Sequence, residues 1–311
     1  MMTAGSIPGR MHCNMYGLGR RAAFERAYDG AEKISCDACA RMVFMSDAHR
    51  GYGNWNDNFM DNQQLCFTAL QYYYERGYSY FELGDGDELW ENRSQKKIIG
   101  QYSHIFWMLS KFYRENRLYM LYGNHDRKKS REEFLRKNFS EYYNECSRRM
   151  EPLFPEIKVY EAIRLEMEAG EIFLMHGHQG DLFNDYLHGL TGWLVRYLWT
   201  PLEEFGVRDP TRAAGNDKKC DKITRSMENF CRKKDMLMVS GHTHRPRCPL
   251  PGEGRLFNDG SMVHPRCITA LEISGGKVSL VKWAVCTKQD GMLYVCRKLL
   301  EGAHELKEYF R

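Results

Sequence analysis

The sequence lacks any long hydrophobic run. A membrane-crossing helix needs roughly 18 or more consecutive apolar residues. The best candidate, Trp193 to Trp199, is short and broken by Arg196. Residues 1 to 20 also lack the basic-then-apolar layout of a secretory leader, so the expected location is cytoplasmic with no transmembrane segment. An excess of one charge is missing as well. Forty-five Lys and Arg against 41 Asp and Glu leave a net charge of only +4, too balanced to argue for nucleic-acid binding through bulk charge. There is no internal repeat and no low-complexity linker. Hydrophobic residues at 43% and charged residues at 28% exclude a disordered or fibrous chain. The 311 residues suffice for one large domain or two small ones.

Cysteine is plentiful but forms no framework. The eleven are an odd number, spread from Cys13 to Cys296 through segments that read as strands and helices. With no leader in sight, they read as reduced, buried thiols. Cys36-x-x-Cys39 has no second pair to complete a structural zinc site, and reads as two ordinary thiols at a strand entrance.

Along the chain, short apolar runs alternate with helical periodicity. A helix is expected over roughly Arg20 to Lys33, after a loose N-terminus. Strands are expected at Arg41–Met45, Tyr78–Leu83 and Leu118–Tyr122. Helices are expected at Asp57–Arg76 and Gln95–Arg114, and a charged helical stretch at Ser130–Met150. A hairpin follows, Ala162–Glu168 with Glu171–Met175. Further runs lie at Met236–Val239, Arg255–Phe257, Ile268–Ile273 and Lys277–Val285, the last two flanking a Gly275-Gly276 turn. β-α-β alternation followed by hairpins implies a layered α/β domain, two mixed sheets face to face with helices outside. Residues 180–234 break this rhythm and read as an inserted helical cap; 1–40 read as an N-terminal extension to a domain spanning 41–311.

Five short motifs each end an apolar run. They are Ser46-Asp47-Ala48-His49, Gly84-Asp85-Gly86-Asp87-Glu88, Gly123-Asn124-His125-Asp126, His176-Gly177-His178 and Gly241-His242-Thr243-His244. Groups at the carboxyl ends of neighbouring strands converge on one crevice in α/β architectures. Imidazoles and carboxylates without a thiolate suit Mn, Fe, Zn or Co. Seven candidate donors are too many for one ion and enough for two, and a carboxylate can bridge a metal pair about 3.5–4 Å apart. Such a site remains positive overall and attracts a phosphate. A lone Asp-x-His says little; five such pieces in order, each after a strand, say much more than histidines scattered by chance.

The set resembles the calcineurin-like metallophosphoesterase superfamily, with its Asp-x-His, Gly-Asp, Gly-Asn-His-Asp/Glu, His and Gly-His-x-His pattern, over about Arg41 to Val285. The resemblance implies a four-layer α-β-β-α sandwich of two mixed sheets with a helical cap. It implies that Asp47, His49, Asp85 and His244 hold one metal. Asp85 would bridge to a second held by Asn124, His176 and His242, with His178 as the alternative to His176. It further implies two divalent ions, Mn2+ first and Fe, Zn or Co as alternatives. A metal-bridging hydroxide would attack a phosphomonoester or phosphodiester, with His125 as general acid or charge stabiliser and Asp126 orienting its ring. Asp87 and Glu88 are candidate hydrogen-bond acceptors behind the site. Arg50, Arg127 and Arg245 each follow a motif and are candidate phosphate grips.

The interval Leu182 to Val207 carries Leu187, Leu190, Trp193, Leu194, Tyr197 and Leu198, at helical spacing on one broad face. That face either packs on the domain or serves as a lid, an apolar substrate groove, a membrane contact or a subunit contact. The bacterial UDP-2,3-diacylglucosamine pyrophosphohydrolases are similar here: they have a helical insertion in this interval, a Gly-Asp-x-x-Glu pattern like Gly84 to Glu88, and a Gly-His-Thr-His-Arg-Pro pattern like Gly241 to Pro246. They usually carry Arg where this chain has His125. A nucleotide-linked lipid is therefore the alternative substrate. A catalytically silent protein-binding scaffold is the alternative of a different class.

Overall fold

The computed structural model describes residues 9–37, 39–145, 147–180 and 217–310. Met42-Val43-Phe44-Met45 is apolar without alternation and buried at every position, as required of a strand covered on both faces. It forms β2 (Met42–Met45), at the centre of a seven-stranded sheet. β3 (Ser79–Leu83), β4 (Leu118–Leu121) and β7 (Val159–Tyr160) extend the sheet in parallel on one side. β12 (Cys267–Ser274), β13 (Lys277–Thr287) and β14 (Leu293–Glu305) extend it antiparallel on the other. The second sheet has the order β1 (Glu32–Ser35), β8 (Ala162–Met167), β9 (Gly170–Met175), β10 (Leu237–Ser240), β11 (Leu256–Asn258); only β8 and β9 pair antiparallel.

Side-chain alternation makes the layers. Phe44, Phe81, Leu83 and Leu121 of the first sheet meet Ile163, Leu165, Ile172 and Val239 of the second in the inter-sheet core. Val43, Met45, Tyr80 and Met120 point the other way, into α2 (Gln63–Glu75) and α4 (Ser103–Arg114). On the far side, Phe173, Met175 and Met238 pack under α1 (Gly9–Asp29) and α6 (Asp217–Lys234). The architecture is the four-layer α-β-β-α sandwich. Its consequence for function is simple: β2, β3 and β4 are parallel, β9 and β10 are parallel, and each is followed at its carboxyl end by one of the five motifs.

Several expectations need correction. Within the expected extension, Phe24 and Ala27 are buried against the domain. α1 ends at Asp29 rather than Lys33, and β1 then joins the second sheet, pairing Ile34 with Leu165. The long helix expected over Gln95–Arg114 is two, α3 (Gln95–Gln101) and α4, broken at Tyr102. The Tyr102 ring is buried and its hydroxyl donates to Asp57 at 2.5 Å. The charged stretch Ser130–Met150 is helical only in α5 (Glu132–Phe139). A small hairpin of β5 (Glu141–Asn144) and β6 (Arg149–Pro152) follows, with Tyr142 inward between exposed Glu141 and Tyr143. β14 went unread because its apolar and polar residues come in pairs (Val295-Cys296, Arg297-Lys298, Leu299-Leu300), which gives no period of two. That strand brings Cys296 to Cys286, and the two form a disulfide, so the reading of every cysteine as a reduced thiol fails there. Cys36 and Cys39 are free. The expected cap residues 181–216, with their apolar stripe, lie outside the described residues. Residues 217–234 are α6, which buries Ile223, Met227 and Phe230 in the outer layer.

Candidate metal centre

The backbone turns sharply after β2, β3 and β10. Asp47, His49, Asp85, His242 and His244 all have left-handed φ, between 48° and 66°. Non-glycine residues rarely adopt this conformation, at a cost of about 1–3 kcal/mol each, and such residues cluster at functional sites. Two glycines let the loops close on one another. A Cβ at Gly123 would collide with the Asp85 carboxylate, and one at Gly241 with Ser46 and Asp47. The loops are laced by backbone bonds: the Asp47 amide donates to the Gly84 carbonyl at 3.1 Å, the His49 amide to the Asp85 carbonyl at 2.9 Å. The His242 amide donates to Asp47 Oδ2 at 2.8 Å and the His125 amide to Asp85 Oδ1 at 2.7 Å.

Among the described residues three groups of donors result; one, His49, Glu88 and His125, shares His49 with the first of the two described next. Asp47, His49 and His244 offer ligand atoms within 4.8 Å of one another, and so do Asp85, His176 and His242. His49 Nε2 lies 3.7 Å from Asp47 Oδ1 and 4.0 Å from Asp85 Oδ2, so the two groups are neighbours. His176 Nε2 is 3.0 Å from Asp85 Oδ2, and its Nδ1 is 2.9 Å from the Leu83 carbonyl oxygen, the partnership that fixes a ligand imidazole's tautomer. His178 is buried nearby but belongs to none of these groups. Asn124 Oδ1 and His49 Nε2 are buried without a hydrogen-bond partner. Buried polar atoms are nearly always satisfied, so inward-facing nitrogen and oxygen donors left open in this way fit divalent cations.

The electrostatics agree. Burial alone would raise the Asp47 carboxyl, but the imidazoles of His244 and His176 hold it well below its ordinary range. Asp85 is likewise pulled down against burial, by His176 and His125. The imidazoles respond in kind. Against burial, Asp85 and Asp47 push His176 up to about 9, and Asp47 and Glu88 push His49 well up. Protons on these rings stand where a cation would. His178 goes the other way, driven well down by burial and by the charges of His176 and His242.

His125 sits at the edge of this cluster, its side chain 23% exposed. Asp126 does not orient it. The Asp126 carboxylate instead accepts from the Gly123 amide at 2.7 Å and the Gly86 amide at 3.1 Å, so it holds two loops together. The partner of His125 is Glu88, whose Oε2 lies 2.7 Å from His125 Nδ1 and 2.9 Å from His49 Nδ1. The Trp90 ring stacks on His125 with centroids 4.0 Å apart. Sequence reasoning had Glu88 as an acceptor but not this pairing.

Among the candidate phosphate grips, Arg50 is removed. Its side chain is 1% exposed, paired bidentately with Glu82 at 2.9 Å and with Asp87 at 2.7 Å. Arg127 is half-buried and contributes positive charge at His178. Arg245 is half-exposed, 3.8 Å from Asp221 of α6. Three supporting residues were missed. Asp259 Oδ1 lies 2.7 Å from Ser46 Oγ, itself 2.5 Å from Asp47 Oδ2. A hydroxyl has one proton to give, so Ser46 donates to Asp47 or to Asp259; burial and the Asp47 charge push the Asp259 carboxyl well up. Glu82 and Lys129 are both buried. The available signal was Glu82 itself, a charged residue inside the apolar strand Tyr80-Phe81-Glu82-Leu83.

Comparison with known proteins gives one family match: a model described as calcineurin-like phosphoesterase, over residues 40–246. No curated protein matches the chain. Similar solved structures include a conserved protein, a predicted phosphoesterase, from Streptococcus pneumoniae (13% identity, 84% of this chain and 97% of that one, TM-score 0.35). Another is vacuolar protein sorting 29 from Cryptosporidium parvum (16%, 85% and 99%, TM-score 0.36). A third is a cold-active protein-tyrosine phosphatase from a Shewanella species (12%, 87% and 83%, TM-score 0.40).

Proposed function

This chain belongs to the calcineurin-like phosphoesterase family, and from that premise we propose that it is a dinuclear-metal-dependent hydrolase of phosphate esters. The observation that carries the proposal is the pair of adjacent donor groups, Asp47–His49–His244 and Asp85–His176–His242, with Asn124 Oδ1 open beside them. Asp47, His49, Asp85 and His244 would hold one divalent ion, and Asp85, Asn124, His176 and His242 the other. Mn2+ is the ion we assign. When bound, the ions lower the pKa of water and meet the charge building on a phosphoryl group.

The chain's own residues do the rest. In the metal-free chain the histidines around Asp85, His176 foremost, hold its carboxyl well below the ordinary range against the effect of burial. Glu88 and Trp90 fix the His125 ring, and with Nδ1 facing Glu88 it is Nε2 that is left to donate a proton to the leaving oxygen. Glu88 also holds His49 by Nδ1, leaving Nε2 for the metal side. Arg127 and Arg245 supply positive charge for the ester. The intact donor set argues against a silent scaffold. The narrower reading, a pyrophosphate bond in a nucleotide-linked lipid, is supported by the Gly-Asp-x-x-Glu and Gly-His-Thr-His-Arg-Pro patterns alone.

The test is hydrolysis of p-nitrophenyl phosphate, its bis ester and a UDP-linked lipid by the Mn2+-loaded protein. Turnover of at least one ester, with Asn124→Ala and His125→Ala each reducing it by at least about 100-fold, supports the proposal. Metal-loaded protein that turns over none of them overturns it.

A further inference from the structure

Behind the metal-ligand loops lies a buried cluster of five charges. Glu82, Asp87 and Asp126 are fully enclosed, and Arg50 and Lys129 are 1% exposed. Lys129 Nζ lies 2.7 Å from Asp87 Oδ2, 2.8 Å from Asp126 Oδ2 and 3.6 Å from Glu82 Oε1. Arg50 binds Glu82 through two nitrogens and Asp87 through a third, and Gln95 donates to Asp87 Oδ2 at 3.0 Å.

Such a cluster is a poor way to gain stability. Taking charges out of water costs several kcal/mol per ion, and apolar replacements of similar volume are often as stable. Its geometry serves something else. Each member of the cluster other than Lys129 and Glu82 sits within two residues of a candidate ligand: Arg50 follows His49, Asp87 follows Asp85 by two, and Asp126 follows Asn124 by two. Its backbone bonds run between the same loops. Asp126 accepts from the Gly123 and Gly86 amides, the Arg50 amide donates to the Gly86 carbonyl at 3.1 Å, and the Glu88 amide to the Arg50 carbonyl at 3.0 Å. Three loops, each carrying donors to the proposed ions, are therefore spaced by one set of ionic contacts. Lys129 is the member that touches all three carboxylates.

We propose that Lys129 is a positioning residue: it fixes the separation of the His49, Asp85 and Asn124 loops by clasping Asp126 and Asp87, and so sets the affinity for the metal pair. This rests on the dinuclear reading above. Lys129 touches neither ion nor substrate; it acts through Asp126 and Asp87. Groups that orient metal ligands from behind typically contribute 10- to 100-fold to metal affinity.

The experiment is Mn2+ titration of the full chain by calorimetry, with electron paramagnetic resonance of the loaded protein, at a temperature where circular dichroism shows each variant folded. Lys129→Met leaves three carboxylates against one cation and lowers Tm. Lys129→Met/Asp87→Asn returns the cluster to the parent's net charge and recovers much of that Tm. Both variants bind Mn2+ at least about tenfold more weakly than the parent, with an altered spin-coupled Mn2+ spectrum, since neither restores the clasp on Asp126. A purely structural Lys129 would move Tm without moving the Mn2+ affinity of the folded protein. Parent-like Mn2+ binding by the folded double variant overturns the proposal and leaves the hydrolase reading intact; a parent that binds no Mn2+ overturns both. Should the Lys129 variants not fold, Asp87→Asn alone serves. It keeps side-chain volume and removes the charge of one of the two carboxylates that Lys129 clasps, so unchanged Mn2+ affinity there also overturns the proposal.

Discussion

At the scale of single residues, the crevice is organised by carboxylates that sort its histidines into roles. Glu88 touches His49 and His125 at once, so one side chain orients both the proposed metal ligand and the proposed proton donor. Glu88→Gln keeps the volume but donates or accepts at one site each, and should lower kcat for p-nitrophenyl phosphate by about 10- to 100-fold with KM little changed. Parent-like kcat would show that Trp90 alone holds His125. The raised pKa of His176 has its own consequence in metal-free protein. Its folded value of about 9 stands above the ordinary 6.5, so its contribution to stability is complete below pH 6.5 and is lost as pH rises through about 9. His49, pushed up by its carboxylates, acts in the same direction. Chelated protein should therefore melt at a lower temperature at pH 9 than at pH 6.5, and His176→Asn should flatten that slope; a melting temperature rising over this window would contradict it.

Elements were legible where their periodicity matched their burial. β2 is apolar throughout, β4 nearly so, and β3 apart from Ser79 and Glu82, because both faces are covered, and such a run marks these strands clearly. α4 buries Ile105, Phe106, Met108, Leu109 and Phe112 on one side, a stripe that sequence alone displays. α1 shows the opposite case. It reads as part of an extension because its surroundings are weakly patterned, yet Phe24 and Ala27 are buried against Ile223, Met227 and Phe230 of α6 and Phe173 of β9. Phe24→Ala should cost about 3–5 kcal/mol in urea unfolding, as for any core phenylalanine. A loss under about 1 kcal/mol would mean that α1 is an appendage after all. β1 could not be foreseen either: a four-residue strand with the pattern Glu-Lys-Ile-Ser has no signal until β8 is there to pair with it.

For the molecule as a whole, metal and fold are linked, since the donors come from both sheets and meet only in the native state. A ligand that binds only the folded chain stabilises it by about 2.7 kcal/mol at a hundredfold excess over its Kd. Mn2+ at that level should raise Tm by several degrees over the chelated protein, and Asp85→Asn should abolish the difference; equal melting temperatures with and without Mn2+ would contradict metal binding at this site. No helix among the described residues is long and apolar enough to cross a membrane. The amino-acid sequence by itself determined the layered α/β class and the five motifs, because strand burial and glycine-bounded turns are written in local residue order. Only the tertiary structure decided which carboxylate serves which histidine. Asp126 lies next to His125 in the chain but faces Gly123, Gly86 and Lys129, while Glu88 arrives from another strand's end to meet the ring. Arg50 likewise follows a ligand yet turns into the interior toward Glu82. Side-chain direction after a left-handed turn depends on what the neighbouring loops leave open, and that is a property of the packed molecule, not of the order of residues.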